Sequence, residues 1–488
     1  MLKKGDEIEL TIESLAFGAE GVGHYRPLMF AEPQRSGALA VFVEDTVPGD
    51  IVTVRIGTKK RNFARGYIVG FVKKAPNRIA PLCKHFGKCG GCVLQYLNYH
   101  DQLGIKEQQV RDAIKRIGGF DESLVLPIIG CGEPWYYRNK MEFSFSYAER
   151  SSALINKKVF SESDLEEEKP ASKGQLSLGL HVRRRHHDLV ELKECFLMNE
   201  YTGPLVARLR EFFREMDLRG RIPEEMRLLS VVFREGKNSG EIMVNLLVEN
   251  GEPDFLDEYL ELLQEELKGK NLASVYFTQI VNFKGRPKKT HEQLLRGEPV
   301  IREELNLENG KSLKFELSPQ AFFQPNTRQA EVLYGVALKA AGLTGDEIVY
   351  DLFCGAGTIG IFCAHAAKKV YGIEINESAV DNARRNAELN SIKNIEFLAG
   401  DVAKVLPAIR EKPDVVIIDP PRDGMHGRTV ELTAGLDAKR LVYVSCNPAT
   451  LARDLQLFTK TGRRLESVQP VDMFPQTSHI ECVAVLRK

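Results

Sequence analysis

The last third of the chain alternates Val- and Ile-rich runs with helical stretches, and no other feature restricts the fold as strongly. Strand candidates recur at Ile348–Phe353, Lys369–Ile373, Ile395–Ala399, Val415–Asp419, Leu441–Ser445 and Ile480–Leu486. Runs that are apolar at consecutive positions describe strands buried on both faces, and such strands need helices packed on each side. Residues 318–488 are therefore expected to form a doubly wound, mostly parallel α/β sheet with right-handed crossovers.

The remainder divides in two. Residues 1–75 carry short alternating or β-branched stretches (Glu7–Ile12, Ala40–Val43, Ile51–Ile56) between Gly- and Pro-containing turns, which predicts a small β-barrel of about five strands. Between Ile51 and Ala75 stand Arg55, Lys59, Lys60, Arg61, Arg65, Lys73 and Lys74 with no acidic residue, and Phe63, Tyr67 and Phe71 interleave with them. Bases stack on aromatic faces and phosphates pair with Lys and Arg, so this strip suits an oligonucleotide; a solvated basic hairpin over core aromatics would read the same way. Residues 76–317 read as a mixed α/β section: a helix near Tyr96–Ile117, a polar excursion over 148–175 expected to be mobile, a basic turn at His181–His187, and Glu-rich helices alternating with apolar strands.

Lys plus Arg and Asp plus Glu number 67 each, so no global field draws the protein to polyanions and any nucleic-acid binding must come from local patches. No apolar run approaches the roughly 18 residues of a membrane span, and MLKKGDEIEL lacks a signal-peptide h-region. Nine cysteines in a chain of 488 residues suit reduced thiols in a cytosol better than a disulfide framework. The expected location is cytoplasmic, without membrane association or an obligatory protein partner.

Three motifs carry chemistry. In DLFCGAGTIG, Gly355, Gly357 and Gly360 allow a sharp turn and close approach of backbone to a ligand. Glu374 ends the next strand, placed to accept from two ribose hydroxyls, and Asp401 follows the third, where an adenine edge would lie. Asp351 would repel a pyrophosphate but suits a methionine ammonium, which favours S-adenosylmethionine over a dinucleotide. In YVSCNPATLARDL, Cys446 ends a strand and Asn447 and Pro448 suit the start of a helix. A thiol just before a helix N-terminus sits in positive potential, and its pKa is expected to fall below about 8.5; a buried cysteine at a strand end is the bland alternative. In DPPRDG, amino-methylating enzymes would carry an aromatic residue after the prolines, whereas here it is Arg422. Glu481, in HIECV, lies on a terminal strand that could return beside the Cys446 strand. Separately, CKHFGKCGGC clusters Cys83, Cys89 and Cys92, a spacing that permits zinc or an iron–sulfur cluster.

Together, DLFCGAGTIG, DPPRDG, YVSCNPATLARDL and HIECV resemble the RNA (uracil-5-)-methyltransferase family, especially its bacterial 23S ribosomal RNA branch with an iron–sulfur cluster. The resemblance spans essentially the whole chain, residues 1–75 being similar to the RNA-binding TRAM barrel. It implies Cys446 as nucleophile toward uracil carbon 6 and Glu481 as general base. It implies Gln324, Phe353, Glu374 and Asp419 as cofactor-lining residues, with Thr358 a departure where some relatives carry Asn. It also implies a four-iron–four-sulfur cluster on Cys83, Cys89, Cys92 and Cys195, Cys131 being the competing fourth ligand. The expected activity is 5-methyluridine formation in structured RNA, 23S ribosomal RNA foremost. Transfer RNA is the alternative substrate, and a non-catalytic RNA-binding iron–sulfur protein the alternative class.

Overall fold

A computed structural model describes residues 2–26, 38–147, 174–281 and 289–488. Most of the excursion expected at 148–175 lies outside the described residues. The chain divides into two compact units: Met1–Gln109, Phe145–Leu192 and Gln476–Ser478 form the first, and Val110–Ser144, Lys193–Pro475 and His479–Lys488 the second. No helix among the described residues is long and apolar enough to cross a membrane.

The first unit opens with six strands: β1 (Glu7–Thr11), β2 (Ser14–Leu15), β3 (Gly21–Tyr25), β4 (Leu39–Val43), β5 (Ile51–Lys59) and β6 (Phe63–Lys73). They pair in the order β1–β5–β6–β4–β3–β2. Strict alternation in IVTVRI buries Val52, Val54 and Ile56 against Leu10, Ile12, Val41 and Val43. The fully buried Asp50 ties the barrel to the segment that leaves it, accepting from Ala75 N (2.8 Å) and pairing with Arg78 (2.7 Å). After α1 (Tyr99–Arg116) and β7 (Lys140–Tyr147), the hairpin β8 (Leu176–Val182) and β9 (Arg185–Val190) carries the basic turn. That turn is already neutralised within the unit: Arg183 pairs with Asp45 at 2.6 Å, and Arg184 with Glu20 at 3.2 Å and with Glu44.

The second unit contains two layered sheets. α2 (Thr202–Leu218) precedes β10 (Arg227–Glu235) and β11 (Glu241–Glu249), and α3 (Leu256–Glu266) connects these to β12 (Asn271–Val281) and β13 (Lys289–Gly297). The order is β13–β12–β11–β10–β7, with β11 and β12 parallel, as the intervening helix allows. A two-stranded ribbon, β14 (Ile301–Asn306) and β15 (Ser312–Leu317), leads into α4 (Thr327–Ala341).

Then comes the expected rhythm: β16 (Ile348–Leu352), α5 (Thr358–Ala364), β17 (Lys369–Glu374), α6 (Glu377–Leu389), β18 (Ile395–Ala399), α7 (Val402–Val405), β19 (Val415–Ile418), α8 (Gly427–Gly435), β20 (Arg440–Ser445), α9 (Pro448–Thr459), β21 (Arg464–Val471) and β22 (Glu481–Arg487). The sheet order is β18–β17–β16–β19–β20–β22–β21. All pairs through β20 are parallel, and β22 runs antiparallel between β20 and β21, placing Cys482 opposite Ser445. Val415–Ile418 is buried at every position, which explains its unbroken apolar run. The order reverses between β16 and β19, and a crevice outside their C-terminal ends is where such sheets bind ligands.

Candidate active site

At the end of β16 the backbone turns abruptly. Phe353 holds a left-handed φ of +64°, uncommon for a bulky residue and found mainly where surrounding structure enforces it. Gly355 and Gly357 follow at φ +54° and +78°. A Cβ on Gly357 would meet the Phe397 ring at 2.7 Å, whereas Gly355 faces open space. At Gly360 a Cβ would stand 2.9 Å from Asp351 Oδ2, so the glycine lets α5 approach that carboxyl closely enough for Gly360 N to donate to it at 2.8 Å.

Asp351 is fully buried, and its Oδ1 has no hydrogen-bond partner among the described residues. Burial, then the charges of Asp419 and Glu374, push its pKa up to about 8, with the Gly360 N–H opposing. A buried acceptor lacking a donor is costly, and a cationic donor relieves both the desolvation and the missing bond. A methionine ammonium fits that requirement. Glu374 is differently placed: Oε2 accepts from Gly355 N (3.1 Å) and Oε1 from Asn376 N (2.9 Å), fixing the carboxylate beside the glycine turn. The adjoining Ile375 is 68% exposed, an apolar face next to that carboxylate. These residues fit S-adenosylmethionine.

Asp401 caps α7 without a side-chain hydrogen bond to it. Gln324 is buried in a loop clamped through its backbone: Asn139 Nδ2 donates to Gln324 O (2.8 Å), Asn139 N to Pro325 O (2.9 Å), and Arg234 to Ala321 O (2.6 Å). Neither Asp401 nor Gln324 joins the acids' charge network.

The second half of the site comes from the ends of β19, β20 and β22. Asp419, beyond β19, is raised to about 7 by burial. Glu481, the first residue of β22, is buried and held well above the carboxylate range by burial and by Asp419, with Arg422 opposing. Cys446 lies between β20 and α9, where Asn447 caps the helix by accepting from Ala449 N (3.0 Å) and Pro448 occupies the first turn. The expected depression of its pKa is not found. The Cys446 thiol is raised to about 11, first by burial and then by the Glu481 and Asp419 charges, while Arg422 draws it down. The helix N-terminus is outweighed by burial of the thiol and then by two carboxyls, remote in sequence, that act on it.

One participant is invisible in the sequence. Tyr334, buried on α4, feels Asp419, Glu481 and Asp351 together and shares a hydrogen bond with Thr358. In an amphipathic helix such a residue reads as ordinary core.

The metal expectation fares differently. Among the described residues, no group of three or more His, Cys, Asp or Glu is arranged to hold a metal ion. Cys83, Cys89 and Cys92 belong to the first unit, where Cys89 Sγ accepts from Gly91 N at 3.4 Å, and Cys195 belongs to the second. Cys195 is served by backbone N–H groups of Leu197 and Met198. Cys131 is buried and bonds to Glu133 O at 3.2 Å. Individual sulfurs thus have local partners.

Comparison with known proteins extends these observations. The tRNA (uracil-5-)-methyltransferase family matches residues 225–488, and the TRAM domain matches residues 2–69. An uncharacterized RNA methyltransferase of Clostridium tetani is 37% identical over 100% of this chain and 99% of its own. Another, from Halalkalibacterium halodurans, is 36% identical over 99% of this chain and 98% of its own. Among solved structures, the Pyrococcus abyssi tRNA (uracil-54, C5)-methyltransferase in complex with S-adenosyl-L-homocysteine aligns with a TM-score of 0.68 and 26% identity, covering 98% of this chain and 100% of that one.

Proposed function

The chain belongs to the tRNA (uracil-5-)-methyltransferase family, and from that premise we propose that it methylates carbon 5 of a uridine in structured RNA. The observation that carries the reading is that Cys446, Arg422, Glu481 and Asp419 act on one another, and Asp419 in turn on Asp351 at the glycine turn. S-adenosylmethionine, when bound, supplies an electrophilic methyl group; Asp351 and Glu374 hold it, with Gln324, Phe353, Asp401, Asp419 and the backbone of Gly355 and Gly357 lining its site.

The chain's own residues supply the activation. Uracil carbon 5 is a poor nucleophile until a thiolate adds to carbon 6 and pushes electron density to carbon 5 through the enolate. Cys446 forms that bond. Its thiol is protonated at rest and releases that proton to solvent before the bond forms, and Arg422 is the cation that favours the thiolate. Once carbon 5 carries the methyl group, Glu481 takes the carbon 5 proton and the Cys446–carbon 6 bond breaks, restoring aromaticity and the thiolate. Glu481 must have released its own proton to solvent before this step, and the burial and Asp419 charge that raise its pKa make the ionised carboxylate a stronger base for the carbon 5 proton. A uridine within folded RNA must first leave its stack, at about a few kcal/mol.

RNA bearing 5-fluorouridine at the target tests the sequence of steps. Fluorine cannot leave as a proton, so the adduct persists, and a stable complex linked through Cys446 is expected with S-adenosylmethionine present. A complex of equal yield with Cys446→Ala would refute the assignment.

The proposed substrate is 23S ribosomal RNA in the cytoplasm, supported by the sequence resemblance and the N-terminal barrel. A transfer RNA substrate is favoured by the full-length likeness to the Pyrococcus abyssi transfer RNA enzyme. We also propose a four-iron–four-sulfur cluster on Cys83, Cys89, Cys92 and Cys195. Spacing and the N–H groups facing Cys89 and Cys195 sulfurs support it. Four irons and four sulfides per chain after anaerobic purification are expected; zinc, or neither element, would remove it. Methyl transfer moves no net electrons, so the cluster enters none of the steps.

A further inference from the structure

The ARD segment within YVSCNPATLARDL has no role in the steps above, yet it carries a charged residue with no solvent exposure. Asp454, on α9, is 0% exposed. Its Oδ2 accepts from Met425 N at 2.9 Å and from the Tyr443 hydroxyl at 2.7 Å, and its Oδ1 pairs with Arg453 at 2.7 Å. Arg453 reaches on to donate to Asp423 O at 2.9 Å. One turn earlier, Asn447 Nδ2 and Thr450 Oγ1 both donate to Arg422 O, at 3.3 and 3.2 Å. Gly424 completes the seam: at φ +76° its Cβ would stand 2.5 Å from Arg453 and 2.6 Å from Asp454 Oδ2. Every residue from Arg422 to Met425 thus abuts or bonds to α9 or its cap, the helix that starts immediately after Cys446.

Packing a helix on a sheet needs no buried carboxylate, and desolvating one is expensive unless its bonds fix something. The two prolines of DPPRDG lack N–H groups, so this loop has few donors with which to fix itself. We propose that Asp454, with Arg453, is a positioning residue: it laces the Arg422–Met425 loop to α9 and so keeps the Arg422 guanidinium beside the Cys446 thiol.

The inference rests on the reading of Cys446 as a nucleophile assisted by Arg422, but its test needs no RNA. Alkylation of Cys446 by iodoacetamide is followed against pH in the full-length protein, with peptide mass spectrometry separating Cys446 from the other cysteines. In Asp454→Asn the loop loosens and the titration midpoint moves up, slowing alkylation at pH 8 by about tenfold for each pH unit. Removal of a negative charge acting only through space would move the midpoint down, so the direction of the shift separates positioning from simple electrostatics. The kcat for methylation is expected to fall by up to about 100-fold with cofactor affinity unchanged. Arg453→Lys, at a side chain half open to solvent, keeps the cation but loses the guanidinium that bridges Asp454 Oδ1 to Asp423 O, and a smaller upward shift is expected. A midpoint that stays put or falls in Asp454→Asn overturns the proposal. If that variant does not fold, an unmoved midpoint in Arg453→Lys does so. Absence of methylation on any RNA, with the midpoint shifted as expected, would fail the proposed function and leave this inference intact.

Discussion

The N-terminal barrel and the C-terminal sheet handle polar groups in opposite ways. On the barrel, β6 turns Tyr67, Val69, Phe71 and Val72 outward at 41, 40, 38 and 54% exposure, and Lys59, Lys60 and Arg61 stand exposed at its start. In the C-terminal sheet, Asp351 and Glu481 are buried, and Asp419 is raised toward neutrality by desolvation. Hydrated charges act nearly independently and are screened by salt. Desolvated ones reset one another, which is why Cys446 cannot be understood without Glu481 and Asp419. The barrel is built for additive binding and the sheet for coupled chemistry.

That contrast can be broken most forcefully at the thiol. Cys446→Ala is expected to lower methyl transfer by more than about 10⁴-fold while calorimetry finds cofactor affinity retained. Next comes Asp351→Asn, which keeps the shape but not the charge: cofactor affinity should weaken by about 10- to 100-fold, as for a lost charged hydrogen bond. The wild-type affinity should also climb as pH rises toward 8, because the ammonium needs the ionised carboxyl; the variant's affinity should be flat over that range.

Stability supplies a third test. An unfolded Asp351 has lost its proton by pH 6, whereas the folded one keeps it until about 8. The native state then binds more protons, so the ligand-free protein loses stability as pH rises toward 8 on account of that group. Denaturant unfolding between pH 6 and 8 should show a shallower decline for Asp351→Asn. On the barrel the effects are smaller and separable. Replacing Lys59, Lys60 and Arg61 singly by Ala should each reduce the salt slope of RNA binding by about 1 where a phosphate contact is lost. Tyr67→Ala should cost about 1–3 kcal/mol of RNA affinity with little change in that slope. Interdependent effects on the barrel, or additive ones in the sheet, would dissolve the comparison.

The sheet was legible in sequence because its strands are buried on both faces, so Val415–Ile418 needs no periodicity analysis. Phe353 was expected to extend β16, but its left-handed backbone ends the strand and opens the turn. β21 escaped notice because RLESVQPV mixes charge and proline into a strand that joins the sheet antiparallel at its edge. At the site, motifs supplied the members and missed their state. A helix cap is a local signal, whereas the burial that raises Cys446 first, and the charges of Glu481 and Asp419 that add to it, come through the fold. Tyr334 had no signal at all, since a buried aromatic on α4 looks the same whether it faces three acids or none. The partners of the basic turn, Asp45 for Arg183 and Glu20 and Glu44 for Arg184, lie far off in sequence and are supplied by the fold alone.

The central claim is carbon 5 methylation of uridine, and nucleoside mass spectrometry addresses it directly. Unmodified 23S ribosomal RNA and transfer RNA would each be incubated with the protein and methyl-labelled S-adenosylmethionine, then digested. Label in 5-methyluridine from 23S RNA is the predicted result; label from transfer RNA alone would keep the chemistry and change the substrate. No labelled 5-methyluridine from either RNA, with the cofactor demonstrably bound, would contradict the account.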